Sequence, residues 1–298
     1  MTAIADHPRI ESAARPAPAR TSSLWGVVLI APNLLYLALV LLVPLGIVGA
    51  YSFYTYSPTG VALPVFTTAN YAKLGDPYFL RLIARTAGVA LKTTLICMVL
   101  AYPLAYFLAR AKKGVALLGL FLLLTPLMVS PVVRAFGWLV LLGRTGVVNA
   151  LFRGVGLEAP DLLYSEAAVL LGLVHLLLPF MVLPLVASIE RIPIGLEEAA
   201  RNLGASGLDV FRKVILPLSV PGLISGALLV YVEAASAFVM PALLGGRHVR
   251  MVGNEVFDSM LVSYNLPAAA MLTVTLVAFT VAAIAAGLAL ARAARRGA

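Results

Sequence analysis

The charged side chains of this chain are bunched. Eight of its 35 Asp, Glu, Lys and Arg residues lie in one stretch, Glu190–Pro217, which reads ERIPIGLEEAARNLGASGLDVFRKVILP. Glu197, Glu198 and Arg201 sit beside two small residues, Ala199 and Ala200. Small residues there let a partner surface approach the helix backbone closely. That is recognition chemistry. For bond-making chemistry the chain offers little: no HExxH, GxSxG or GxxxxGK[ST] pattern and no paired cysteines. Its single cysteine, Cys97, excludes an internal disulfide, and His7, His175 and His248 are too scattered for a metal cluster.

A second candidate is Glu233, a lone carboxylate in LLVYVEAASAFVMPALLGG. An ionisable group in an apolar run is costly to bury and marks a functional site by default. Ser236 lies three residues on, on the same helical face, and Tyr231 and Phe238 flank the pair. Two readings stay open. Glu233 faces a pathway and stabilises a cationic solute there, or it is a structural group, paired with Lys92 or Arg134 or protonated and hydrogen-bonded to a neighbouring helix. Tyr231 and Phe238 either line the path or pack. Lys92 reads as snorkelling to the interface, Arg134 as an anchor near the outer interface, and His175 as a hydrogen-bonded bundle residue.

The elements that must position these groups follow from composition. The chain is 61% hydrophobic and 12% charged, against about 45–50% and about 25% for a soluble domain. It reads as an all-α membrane protein with six spans, within 24–291: Trp25–Ala50, Thr86–Ala109, a third from Val115 that is interrupted at Pro126 and Pro131, Ala167–Ile189, Leu218–Leu244 and Pro267–Ala291. Residues 1–23 and 292–298 read as polar tails; the apolar run from Leu24 is too long for a cleaved signal peptide. Thirteen of the 22 Lys and Arg residues fall in the tails, the 110–113 turn and Glu190–Pro217, and seven in the opposite loops. That bias puts both termini and the charged stretch in the cytoplasm, and it reads the net charge of +9 as membrane topology rather than nucleic-acid binding.

Within the charged stretch, Gly195–Leu203 is rich in helix formers. Gly204 stands where a glycine ends a helix, and Ser206 with Asp209 starts a second one, which Pro217 is expected to close. Leu196, Ala199, Ala200 and Leu203 make an apolar stripe suited to a groove on a soluble partner.

Glu198-Ala199-Ala200, then Gly204, Val214 and Leu216-Pro217, resemble the EAA loop of bacterial ABC importer permeases, with Val214 where isoleucine is usual. The resemblance implies the type I permease fold and a bacterial inner-membrane location. It implies that Glu198, Ala199, Ala200, Gly204, Leu216 and Pro217 rest on a cytoplasmic ATPase. ATP is then used by that partner, and this chain binds no cofactor. A second permease subunit and an extracytoplasmic solute-binding protein complete the implied set. LLGRTGVVNALF (141–152), VLLGLVHLLLPFMVLPLVASIERI (169–192) and FVMPALLGGRHVRMVGNEV (238–256) resemble the spermidine/putrescine branch. Opine, phosphonate and iron(III) permeases are similar. Many polyamine relatives carry an acidic residue where Ala237 stands here, one helical turn after Glu233. An ion-driven secondary transporter would explain Glu233 and Lys92 but not the EAA loop, and a membrane enzyme or scaffold lacks clustered catalytic groups.

Overall fold

The computed structural model describes residues 23–57, 62–158 and 160–296. The reading of 1–22 as part of a tail lies outside the described residues. Six stretches are long and apolar enough to cross a membrane, with Lys113–Met128 a shorter apolar helix beside them. Many large apolar side chains are exposed along these helices, as expected where lipid rather than water is the neighbour.

Helix α1 (Ser23–Tyr51) opens the described chain, and residues 30–47 within it bury no side chain. After it, β1 (Tyr54–Thr55) pairs antiparallel with β2 (Leu63–Phe66), a small ladder that sequence periodicity did not signal. A short helix α2 (Ala69–Ala72) leads to α3 (Pro77–Arg110). The second span therefore begins nine residues before the expected Thr86. Asp76 sets its start: its carboxylate accepts from the Tyr78 N–H at 2.8 Å, with Pro77 in the first turn.

The third crossing is split as expected. Helix α4 (Lys113–Leu124) tightens into a 3₁₀ turn at Thr125–Met128, the backbone extends at Val129, and α5 (Pro131–Leu142) resumes. Arg134 holds the break. It is 8% exposed, and it donates to the Val129 carbonyl at 3.0 Å and to the Pro126 carbonyl. It is thus a buried staple rather than an interface anchor, gathering two carbonyls at the break where the helical ladder is interrupted. An amphipathic α6 (Val147–Gly154) follows, then α7 (Glu166–Glu190), N-capped by Ser165.

The core lies where α3, α7 and α10 (Leu216–Ser236) pack together. Gly222 and Gly226, four apart, let α10 approach α7. A Cβ on Gly226 would stand 2.8 Å from the Met181 sulfur, and one on Gly222 would stand 2.5 Å from the Pro184 carbonyl oxygen. Gly222→Val is expected to lower the thermal unfolding midpoint of the detergent-solubilised protein, an overpacking cost of about 1–3 kcal/mol. An unchanged midpoint would show that this contact yields freely.

The fifth span is also broken. Helix α10 ends at Ser236, Ala237 is extended, and a π turn at Pro241–Gly245 follows. A helix absent from the sequence reading, α11 (Val252–Leu261), fills much of the segment between the fifth and sixth spans. Asn254 Nδ2 donates to the Phe238 carbonyl at 3.0 Å, beside the Ala242 N–H that donates to the same oxygen at 2.9 Å, so α11 is tied to the chain just after the break. The chain ends in α12 (Leu266–Arg296), whose backbone stays helical past the expected Ala291.

Candidate functional site: the charged segment and the fifth span

The charged segment folds as α8 (Ile194–Asn202), a glycine turn, α9 (Gly207–Val210) and a π turn at Phe211–Ile215 that runs directly into α10. Gly204 has φ +85°, the left-handed region that favours glycine. Around it the Ala205 N–H donates to the Ala200 carbonyl at 3.0 Å and the Gly204 N–H to the Arg201 carbonyl at 2.9 Å, a paired closure of the helix end. Ser206 caps α9, accepting from the Asp209 N–H at 3.2 Å.

Pro217 departs from expectation. It closes no helix: it stands in the first turn of α10 and the helical path continues through it. The reason is positional. The π turn at Phe211–Ile215 ends just before it, and that local widening of the helix accommodates the ring and the missing donor. Pro217 is exposed, whereas Leu216 is half-buried against the core.

One residue outside the sequence-selected set governs how α8 sits. Glu197 is 4% exposed. Its carboxylate accepts from the Tyr106 hydroxyl at 2.8 Å and from Arg110 Nε at 2.8 Å, and it lies 2.6 Å from Arg110 Nη2. Arg110 Nη2 also donates to the Ile192 carbonyl at 3.0 Å. Tyr106 and Arg110 are four apart on the last turns of α3, so one helix face supplies both donors. This buried three-way contact ties α8 to the end of the second span. Arg110 is therefore more than a topology-marking charge.

With Glu197 turned inward, the opposite face of α8 is open. Glu198 and Ala199 are exposed, and Glu198 has no hydrogen bond or ion pair among the described residues. Leu196 is 46% and Leu203 89% exposed. Ala200 is half-buried and packs against the core. The apolar stripe foreseen in the sequence thus splits: Ala200 turns inward, while Leu196, Ala199 and Leu203 are presented with Glu198.

Glu233 lies in the last turn of α10, one turn before the break rather than mid-span. It is exposed and pairs with neither Lys92 nor Arg134. Lys92 Nζ is 2.5 Å from Glu166 Oε1, with both side chains substantially exposed, and Arg134 is spent on backbone carbonyls. The ion-pair reading of Glu233 is overturned, because both cations lie with closer acceptors. Ser236 is exposed too, and its hydroxyl donates to the Val232 and Glu233 carbonyls at 3.0 and 3.2 Å. With Pro221, Ser225 and Leu229 these residues form one exposed stripe down α10. Tyr231 is half-buried, its ring 6.5 Å from that of Phe279. Phe238 stacks on Phe257 at 5.5 Å and lines a cavity of about 510 Å³ at the break. His175 behaves as expected: its Nδ1 accepts from Trp138 Nε1 at 3.2 Å. No group of three or more His, Cys, Asp or Glu able to hold a metal occurs among the described residues.

Residues 98–296 match the family described as binding-protein-dependent transport system inner membrane component. The chain belongs to that family. It is a permease subunit by descent, with the six-helix membrane fold expected of the family. Its relatives include the spermidine/putrescine transport system permease protein PotB of Escherichia coli K12, 38% identical over 227 residues, 76% of this chain and 82% of that protein. PotB of Haemophilus influenzae is 38% identical over 234 residues, 78% and 82% of the two chains. Among solved structures, a chain of a bacterial ABC transporter involved in import of the acidic polysaccharide alginate superposes with a TM-score of 0.74 at 17% identity. The match covers 91% of this chain and 96% of that one. At that identity the likeness shows the permease fold alone.

Proposed function

We propose that this chain forms half of the translocation pathway of an ATP-driven importer for polyamines such as spermidine and putrescine. The observation that carries the mechanism is the two-sidedness of α8. One side is locked to the second span through Glu197, and the other presents Leu196, Glu198, Ala199 and Leu203 with no partner among the described residues. That open face fits a groove on a cytoplasmic ATPase subunit, which binds and hydrolyses ATP while this chain holds no cofactor. Both termini lie in the cytoplasm with α8, in the bacterial inner membrane. A second permease, homologous to this one, covers the exposed stripe of α10 at Pro221, Ser225 and Leu229 and leaves Glu233 open to the space between the two, and an extracytoplasmic binding protein delivers the solute. Nucleotide-driven closure of the ATPases moves α8, and the Glu197 contact passes that motion to α3.

The identity to spermidine/putrescine permeases supports the solute class, and Glu233 supplies a free carboxylate on the pathway face for a cation. The test is uptake by the assembled transporter in vesicles loaded with ATP. Labelled spermidine is expected to enter and to be displaced by putrescine, not by opines, phosphonates or iron(III). Uptake of one of those instead would discard the polyamine assignment while leaving the permease reading standing. Glu233→Gln is expected to reduce spermidine uptake about tenfold or more, the loss of one charge-assisted contact, with complex assembly unaltered. Normal uptake would make Glu233 a bystander.

A further inference from the structure

A cavity of about 240 Å³ opens among Tyr78, Arg81, Leu82, Arg85, Arg247 and Arg250. Four guanidinium groups around one small opening repel one another unless something negative is supplied. Arg250 has its own supply. It lies 2.5 Å from Asp258 Oδ2 and 3.1 Å from Glu255 Oε2, and the Tyr78 hydroxyl donates to Glu255 at 2.6 Å. Burial works against the charge on Arg250, but those two carboxylates outweigh it and hold the guanidinium above its ordinary value. The other three have no such partner. Arg81 donates to the Pro77 carbonyl at 3.0 Å and Arg85 to the His248 carbonyl at 2.7 Å. Among the described residues none of Arg81, Arg85 and Arg247 forms an ion pair with a carboxylate. Arg81 and Arg247 are exposed.

We propose that Arg81, Arg85 and Arg247 form a docking surface for acidic side chains of the extracytoplasmic solute-binding protein; the proposal rests on the permease reading above. Two observations choose this occupant over lipid headgroups. Arg81 lies 29 residues along α3 from Arg110, roughly 43 Å at the helical rise. With Arg110 at one edge of a hydrocarbon core about 30 Å thick, Arg81 stands roughly 13 Å past the other edge, beyond the roughly 5–8 Å that the headgroups add and within reach of a soluble protein. The opening also adjoins the 510 Å³ cavity at the break in the fifth span, since Arg247 and Arg250 line both. An acidic surface seated here lies directly over that break. The pocket also assigns a division of labour: a cationic solute gains nothing from these arginines, so they serve the delivering protein and leave the cation to Glu233.

The experiment uses the whole transporter in nanodiscs and the purified binding protein with which it works. Arg81→Glu together with Arg247→Glu is expected to weaken binding-protein affinity by about tenfold or more and to flatten its dependence on salt. A Glu→Lys or Asp→Lys change on the binding protein is expected to restore it in part. Arg81→Gln with Arg247→Gln, a milder pair, is expected to give an intermediate loss if the charge reversal impairs folding. Wild-type affinity and salt dependence in both pairs, with the complex assembled, would overturn the surface while leaving the permease reading intact. So would loss of anionic phospholipid retention with unchanged binding-protein affinity. If the wild-type transporter binds no such protein at all, the permease reading itself fails.

Discussion

Replacing Arg110 by alanine is expected to uncouple transport and to destabilise the protein by about 3 kcal/mol or more. The change leaves the Glu197 carboxylate, 4% exposed, with the Tyr106 hydroxyl alone. Removing one partner of a buried ion pair costs roughly 3–5 kcal/mol, because the remaining charge keeps its desolvation penalty. The cheapest relief is for α8 to swing Glu197 into water, which parts α8 from α3. Two readouts separate this from a general loss of packing. In the assembled transporter, ATP hydrolysis should no longer respond to solute-loaded binding protein even where the ATPase stays bound. The double variant Arg110→Met/Glu197→Met, which removes both charges and keeps volume, should recover most of the stability but not the coupling. If Arg110→Ala is as stable and as well coupled as wild type, the contact does not hold α8.

Glu198→Lys should act on the opposite face of the same helix. Glu198 is exposed and unpaired among the described residues, so its reversal leaves the fold untouched. At an interface the same change costs about 2 kcal/mol or more, roughly thirtyfold in affinity. The ATPase subunit is expected to be lost on purification in detergent, while membrane insertion and expression match wild type. Adjacent glutamates thus give opposite signatures: disturbing the Glu197 contact affects stability first, and Glu198 affects association first. Unchanged ATPase recovery and transport for Glu198→Lys would remove the docking role from this face.

Why these two glutamates look alike in the sequence and differ in the structure is instructive. Local grammar set α8, its glycine turn and the Ser206 cap, because helix formers, a left-handed glycine and a capping serine act within a few residues. The orientation of α8 is decided by Tyr106 and Arg110, some 90 residues away on α3. No local pattern pairs them with Glu197. Arg110 drew attention only as a charge flanking a span. Arg134 and Lys92 were legible as costly charges, but their partners, the Val129 and Pro126 carbonyls and Glu166, depend on tertiary approach. The breaks divide in the same way. Two prolines announced the interruption of the third span. The fifth breaks at Ala237, whose carbonyl is the one that Pro241, four residues on, has no N–H to serve and whose position its ring would crowd; the N-terminal end of α11 packs there, a Cβ on Gly253 coming within 3.0 Å of the Ala237 carbonyl oxygen. Pro217 shows the converse, a strong breaker made harmless by the π turn that precedes it.

A single cross-link tests most directly whether α8 is the part that touches the engine. In a Cys97→Ala background Ala199→Cys introduces one exposed thiol on the open face of α8. A short bifunctional reagent should join it to a cysteine in the groove of the ATPase subunit, with a yield that changes when nucleotide is added. A thiol that is labelled only from outside the cell, or that never joins the ATPase in an actively transporting complex, would contradict the role assigned to this helix.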